Sequence, residues 1–209
     1  IMKSRFTSLD LMVIISELKT SLLDLRVNNV YDCNNKTYLI KFQKPDVPVK
    51  PLLIIESGIR IHTTKYDWPK NNIPNGFSMK LRKHIKGKRL TNIKQVDQDR
   101  IVILTFGEEN TEYSFNLVIE LYDKGNLILC DHEMKIMHLG RIFQSNQDES
   151  SGKDGINLRT GEKYTSYNGN TKVSKNLEVD DQDDSATDQF DKKEKSSFSQ
   201  FFKNLLAYF

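Results

Sequence analysis

An acid and a base stand side by side at Asp99-Arg100, between two apolar stretches and just after a strongly basic run. Such a pair can present a carboxylate and a guanidinium to a nucleotide, the guanidinium being a planar fork for phosphate oxygens or base edges. The plainer reading is a turn aspartate followed by a strand arginine with a local ion pair. From Phe77 to Gln98 there are seven Lys or Arg residues (Lys80, Arg82, Lys83, Lys86, Lys88, Arg89 and Lys94) against Asp97 alone, a local net charge of +6 on a chain whose total is +3. Clustering of this kind suits a polyanion, although most charge runs are solvated helix faces. Asp10 is a further candidate. It is either a ligand-facing carboxylate or the partner of Thr7 in a capping box worth on the order of 1 kcal/mol.

Other chemistries find no support in the spacing. His62, His84, His132 and His138 lack the spacing of metal ligands among themselves or with cysteine. Cys33 and Cys130 have no obvious partner and read as reduced thiols of a cytosolic protein. Ser57-Gly58 lacks the G-x-S-x-G context of a hydrolase, and no glycine-rich loop ends in Gly-Lys-Ser/Thr. No pair of carboxylates sits in an acid–base frame. The residues make no positive case for an enzyme and imply no cofactor.

The elements that must position these groups follow from periodicity. Leu11, Ile14, Ile15, Leu18 and Leu22 form one helical stripe, with Thr7 as N-cap and Asp10 closing the box. After Asp24 the period becomes two. Val27, Val30 and Tyr31, then Tyr38, Ile40 and Phe42, predict a hairpin around a turn at residues 32–35. Beyond Pro45, Pro48 and Pro51, the runs 52–55 and 59–63 predict a second hairpin turning at Ser57-Gly58. Phe77, Leu81 and Ile85 predict a short amphipathic helix over 77–86 ended by Gly87, its basic residues mostly off the apolar stripe and facing solvent or a ligand. Strands are predicted near 89–97, 100–106, 112–122 and 126–131, with a fifth at 135–142. Their short connections imply antiparallel neighbours, so the fold class is α+β: antiparallel sheets with a few flanking helices.

Past Arg141 the composition turns polar, and residues 144–197 read as a largely flexible linker in which Tyr164 and Tyr167 dock locally. Phe198, Phe201, Phe202, Leu205, Leu206 and Phe209 return to helical spacing and read as the first helix of a truncated domain. Residues 166–209 carry a net −2, which leaves +5 for residues 1–165, so the basic character belongs to the folded part. No apolar run approaches the roughly 18 residues that span a bilayer. Asp10, Glu17 and Lys19 argue against a signal peptide in the first helical segment. The expectation is a cytoplasmic protein without a membrane partner.

Four strings agree at once with one family: Met2-Lys3-Ser4-Arg5-Phe6-Thr7-Ser8-Leu9-Asp10-Leu11, Arg26-Val27-Asn28-Asn29-Val30-Tyr31-Asp32, residues 53–64 (LIIESGIRIHTT), and residues 119–129 (IELYDKGNLIL). Between them lie residues 79–84 (MKLRKH) and Asp99-Arg100-Ile101-Val102. Over residues 2–143 the chain resembles the N-terminal domain of the NFACT family, in its eukaryotic branch of ribosome-associated quality control factors. On that resemblance, 198–209 would open a helix-hairpin-helix domain.

The resemblance implies binding to the large ribosomal subunit over the peptidyl-tRNA of a stalled nascent chain, and help in recruiting the listerin-type E3 ubiquitin ligase. It also implies delivery of aminoacyl-tRNA for extension of the nascent chain without mRNA, by alanine and, in fungi, threonine. It marks Asp10, Asp99 and Arg100 as the functional positions, read here as a tRNA-recognition cluster, to which the charge run itself would add supporting phosphate contacts from Lys80, Arg82, Lys83, Lys86, Lys88 and Arg89. It implies a fold like the N-terminal domain of formamidopyrimidine-DNA glycosylases, whose catalytic N-terminal Pro-Glu is replaced here by Met2-Lys3-Ser4. A non-catalytic binding module is therefore expected. Two rivals stay open: a degenerate glycosylase-like enzyme using Lys3 as nucleophile, and a protein-interaction scaffold whose basic patch meets acidic partners.

Overall fold

The first helix begins where its cap dictates. Helix α1, Ser8–Leu22, is preceded by Thr7, whose hydroxyl accepts from the Asp10 amide while the Asp10 carboxylate accepts from the Thr7 amide at 2.8 Å. The capping box is thus complete, and two amides that a helix start leaves without partners are satisfied. Leu11, Ile15, Leu18 and Leu22 are the buried stripe. The computed structural model describes residues 5–44, 50–108, 111–141 and 158–165, all within one unit of the chain. The predicted helix at 198–209, Tyr167 and Lys3 lie outside the described residues.

Among the described residues nine strands follow in two antiparallel sheets. The first holds β1 (Arg26–Asp32), β2 (Thr37–Gln43), β3 (Leu52–Glu56) and β4 (Arg60–Thr64) in that order. The second holds β5 (Leu90–Gln95), β6 (Ile101–Phe106), β7 (Phe115–Glu120), β8 (Asn126–Cys130) and β9 (Ile136–Leu139), again in order. Both sheets are meanders, as short connections require. Between the sheets in sequence lies helix α2, Gly76–Ile85, capped by Asn75, whose side chain accepts from the Ser78 amide. Asn75 is itself fixed by buried Asp32 at the end of β1. That carboxylate accepts from the Asn75 amide at 3.1 Å and from Asn71 Nδ2 at 2.6 Å. Burial pushes the Asp32 pKa up, but these bonds to the charged form outweigh it and hold it below the ordinary aspartate value.

The inner faces of both sheets and the apolar stripes of both helices share one core. Helix α1 packs on β4 and β5, and α2 on β1 and β9. Each helix therefore joins an edge strand of one sheet to an edge strand of the other. Main-chain bonds stitch the sheets at two places. Near β1 and β5, the Val27 amide donates to Lys88 O and the Leu90 amide to Leu25 O, both at 2.9 Å. At the other end the β3–β4 turn meets the β7–β8 turn, where the Gly58 amide donates to Glu120 O at 3.1 Å. Gly125 faces Gly58 so closely that an added Cβ would lie 2.0 Å from the Gly58 nitrogen.

All six residues of β6 are buried, which a strand with one wet face would not show. Its outer face carries Ile101 and Ile103, which join Val118, Ile128, Cys130, Ile136 and Tyr164 in a second apolar cluster. Residues 158–165 supply the cover. The Ile136 amide donates to Glu162 O, and the Gly161 and Tyr164 amides donate to Ile136 O and Met134 O, all at 2.8 Å. Tyr164 docks as the sequence led us to expect, inside the stretch read as linker.

Candidate nucleic-acid interface

The turn between β5 and β6 presents Asp99 and Arg100. Asp97 sits in the left-handed region at φ 47, the Val96 amide donates to Ile101 O, and the Asp99 amide donates to Val96 O, both at 3.0 Å. The Asp99 carboxylate folds onto the next amide, accepting from Arg100 N–H at 2.6 Å. Arg100 is anchored by its backbone, its carbonyl accepting from the Leu121 amide at 2.8 Å. Its half-exposed guanidinium makes no hydrogen bond or ion pair among the described residues.

The first turn of α1 reaches this turn through Ser8. The Ser8 hydroxyl donates to Gln98 O, and Gln95 Nε2 donates both to Ser8 O at 3.3 Å and to Asp99 O at 2.8 Å. Asp10, two residues after Ser8, thus comes to the same end of the fold as Asp99 and Arg100. All three are half-exposed. Asp10 spends one oxygen on its capping box, accepting from both the Thr7 amide and the Thr7 hydroxyl at 2.8 Å.

Glu120 underlies this end and was not foreseen in the sequence. Its buried carboxylate accepts from the Tyr164 hydroxyl at 3.0 Å and from Tyr122. Burial pushes its pKa up, with the charge of nearby Asp99 adding to the rise. Burial and the Glu120 carboxylate likewise push both tyrosine hydroxyls well above their usual range. Ser8 and Gln95 were missed as well. None of the three carries a spacing signal, because each has a partner far away in sequence: Tyr164 for Glu120, Gln98 for Ser8 and Ser8 for Gln95.

The basic residues do not gather at this end. Lys80 and Lys83 on α2 and Lys86 at its C-cap are exposed and form no ion pair among the described residues. Arg82 turns inward instead: its Nε donates to Val30 O at 2.7 Å and its guanidinium lies 5.5 Å from the Tyr31 ring centroid. Lys88 donates to Tyr113 O at 2.8 Å, and Arg89 pairs loosely with Asp24 at 3.6 Å. Lys88 and Arg89 precede β5 whereas Asp99 follows it, which separates them by roughly 20 Å of strand. Helix α2 rests on β1 and β9, while the Asp99 turn belongs to the α1 side with β4 and β5. Two distinct surfaces result: an acid–base end and a basic flank.

A family model described as NFACT N-terminal and middle domains matches residues 7–207. The chain belongs to the NFACT family. Among curated relatives, the human ribosome quality control complex subunit NEMF is 52% identical over 148 residues, 71% of this chain and 13% of that protein. Ribosome quality control complex subunit 2 of Saccharomyces cerevisiae is 41% identical over 150 residues, 71% of this chain and 14% of that one. The chain thus spans about a seventh of these NFACT relatives. The N-terminal domain of the fibronectin-binding protein PavA from Streptococcus pneumoniae shares the fold, with a TM-score of 0.65 at 24% identity over 78% of this chain and 64% of that one.

Proposed function

We propose that this NFACT domain is a tRNA- and large-ribosomal-subunit-binding module of a ribosome quality control factor, non-catalytic in itself and acting in the cytoplasm. Asp10, Asp99 and Arg100 read tRNA at one end of the sandwich. Lys80, Arg82, Lys83, Lys86, Lys88 and Arg89 add sequence-independent contacts from the other flank, Arg82 and Lys88 from partly committed positions. The larger protein would meet the peptidyl-tRNA of a stalled chain, aid a listerin-type ubiquitin ligase, and take aminoacyl-tRNA carrying alanine or threonine for C-terminal tailing. The relatives' names support the quality-control role.

One observation carries the site assignment: the first turn of α1 is bonded through Ser8 to the turn that holds Asp99 and Arg100. A guanidinium with no hydrogen-bond partner among the described residues, held by its backbone next to the Asp99 carboxylate and at the same end of the fold as Asp10, can receive something with both donors and acceptors. In the full-length protein, Asp99→Ala with Arg100→Ala is expected to stop tail extension while subunit binding persists through other domains. Tails of normal length in that double variant would remove the assignment.

A further inference from the structure

His84 on α2 and His138 on β9 face each other with ring centroids 5.7 Å apart. The His84 ring also lies 5.0 Å from Phe115 of β7, and the Lys88 ammonium sits 5.1 Å from the Phe115 centroid. Both imidazoles are half-buried. The groups that act on them come from every element around them. Helix α2 contributes Lys80 and Lys83, the segment after it Lys88, β9 the second histidine, and β7 only the uncharged Phe115 ring. Every one of these ionisable groups is a cation or becomes one, and no carboxylate stands among these strongest influences. Burial first, and these neighbours after it, hold both histidines below the ordinary value of 6.5.

Cations gathered without a counter-charge repel one another and weaken the fold, so the arrangement is stabilised when an anion arrives. Neutral imidazoles already offer ring N–H donors, and the two lysines add strong ones. Lys80 and Lys83 stand exposed on α2 with a rise of about 4.5 Å between them, and exposed Lys86 follows at the helix C-cap. Exposed ammonium groups clustered on one flank with two imidazoles match the repeating charge of a nucleic-acid backbone better than the scattered carboxylates of a protein surface.

We propose that His84, His138, Lys80 and Lys83 form a phosphodiester seat for an RNA backbone, on the α2–β9 flank and separate from the Asp10, Asp99 and Arg100 end. This deepens the function proposed above and rests on its reading of the partner as RNA. A phosphate between the imidazoles favours their charged forms, so binding takes up protons and tightens as pH falls.

The test uses the 209-residue chain and a short fluorescent single-stranded oligouridylate, with binding read by anisotropy at constant ionic strength. The wild type is expected to bind about fivefold or more tightly at about pH 6 than at about pH 8. Histidine ring signals in NMR should titrate at higher pH when the RNA is present. His84→Gln with His138→Gln should bind equally at both pH values, its melting curve confirming the fold. Lys80→Ala with Lys83→Ala, both at exposed positions, should reduce the salt slope of log affinity by about 1 to 2. Asp99→Ala with Arg100→Ala should keep the pH step, as a separate seat demands. Affinity independent of pH in the wild type, or ring signals unmoved by RNA, would overturn the seat yet leave the tRNA reading intact. Equal displacement of the RNA by polyglutamate at matched charge would overturn its phosphate character. If the double glutamine variant does not fold, the wild-type ring titration decides alone.

Discussion

Asp10 serves a helix cap and is also assigned to a recognition site, and the two roles separate by substitution. Thr7→Ala removes the cap hydroxyl, which costs about 1 kcal/mol and should lower the melting temperature by roughly 2–4 °C. It leaves the Asp10 charge in place, so tail extension by the full-length protein should survive. Asp10→Asn keeps an acceptor for the Thr7 amide and removes the charge, so its stability should change less while tailing is lost. Equal loss of tailing in both variants would mean that Asp10 acts only through the helix start. Glu120 poses a different question, since its buried carboxylate has a raised pKa. A carboxylate more easily protonated when folded destabilises the fold wherever it is ionised, and the cost vanishes below the ordinary value of 4.5. Glu120→Gln retains an oxygen for Tyr164 and Tyr122. It is expected to melt higher than the wild type at neutral pH, with the difference shrinking on acidification.

The two turns that meet at Gly58 and Gly125 decide how the sheets join at that end. Gly125 has φ +63, and a Cβ there would lie 2.0 Å from Gly58 N and 2.5 Å from Glu120 O, both backbone atoms that cannot swing away. Gly125→Ala should therefore destabilise by about 3 kcal/mol or more. Gly87, the residue that ends α2, has φ +79 but open space around it. Gly87→Ala carries only the left-handed backbone cost of about 1–2 kcal/mol. Denaturant midpoints for the two variants should differ in that order. Similar midpoints would mean that the turns do not have to touch. The same contact places Glu120, and through the Leu121–Arg100 bond it steadies the turn that carries the proposed site.

Across the molecule, charge is divided between two surfaces, and stability should reflect it. His84 and His138 have folded-state pKa values below 6.5, so the unfolded chain takes up protons first on acidification. Stability from this pair is full above about pH 6.5 and falls as the pH drops through that value. The melting temperature should decline between about pH 7 and pH 5. His84→Gln with His138→Gln should flatten that decline, and an unaltered slope in the double variant would place its cause elsewhere. The docked segment 158–165 works in the same global way, because it covers the outer face of the second sheet and buries Cys130, whose thiol burial pushes up to about 12. Such a thiol is expected to resist alkylation until that cover opens.

What could be read directly from the residue order is local. The capping box, the stripe of α1, the alternation in both hairpins, the Gly87 stop and the antiparallel neighbours all depend on residues a few positions apart, where helix and strand periods act. The Asp99-Arg100 turn could likewise be picked out, though its role came from family resemblance rather than spacing. Other features joined residues distant in the chain: Ser8 with Gln98, Glu120 with Tyr164, Arg82 with Val30, and His84 with His138. No period encodes such pairs, since they arise only when helices, sheets and the docked segment 158–165 pack together. For the same reason the basic run and the acid–base pair, neighbours in sequence, stand on different faces: a strand of about 20 Å lies between its ends, and only the packed fold decides which way each end looks.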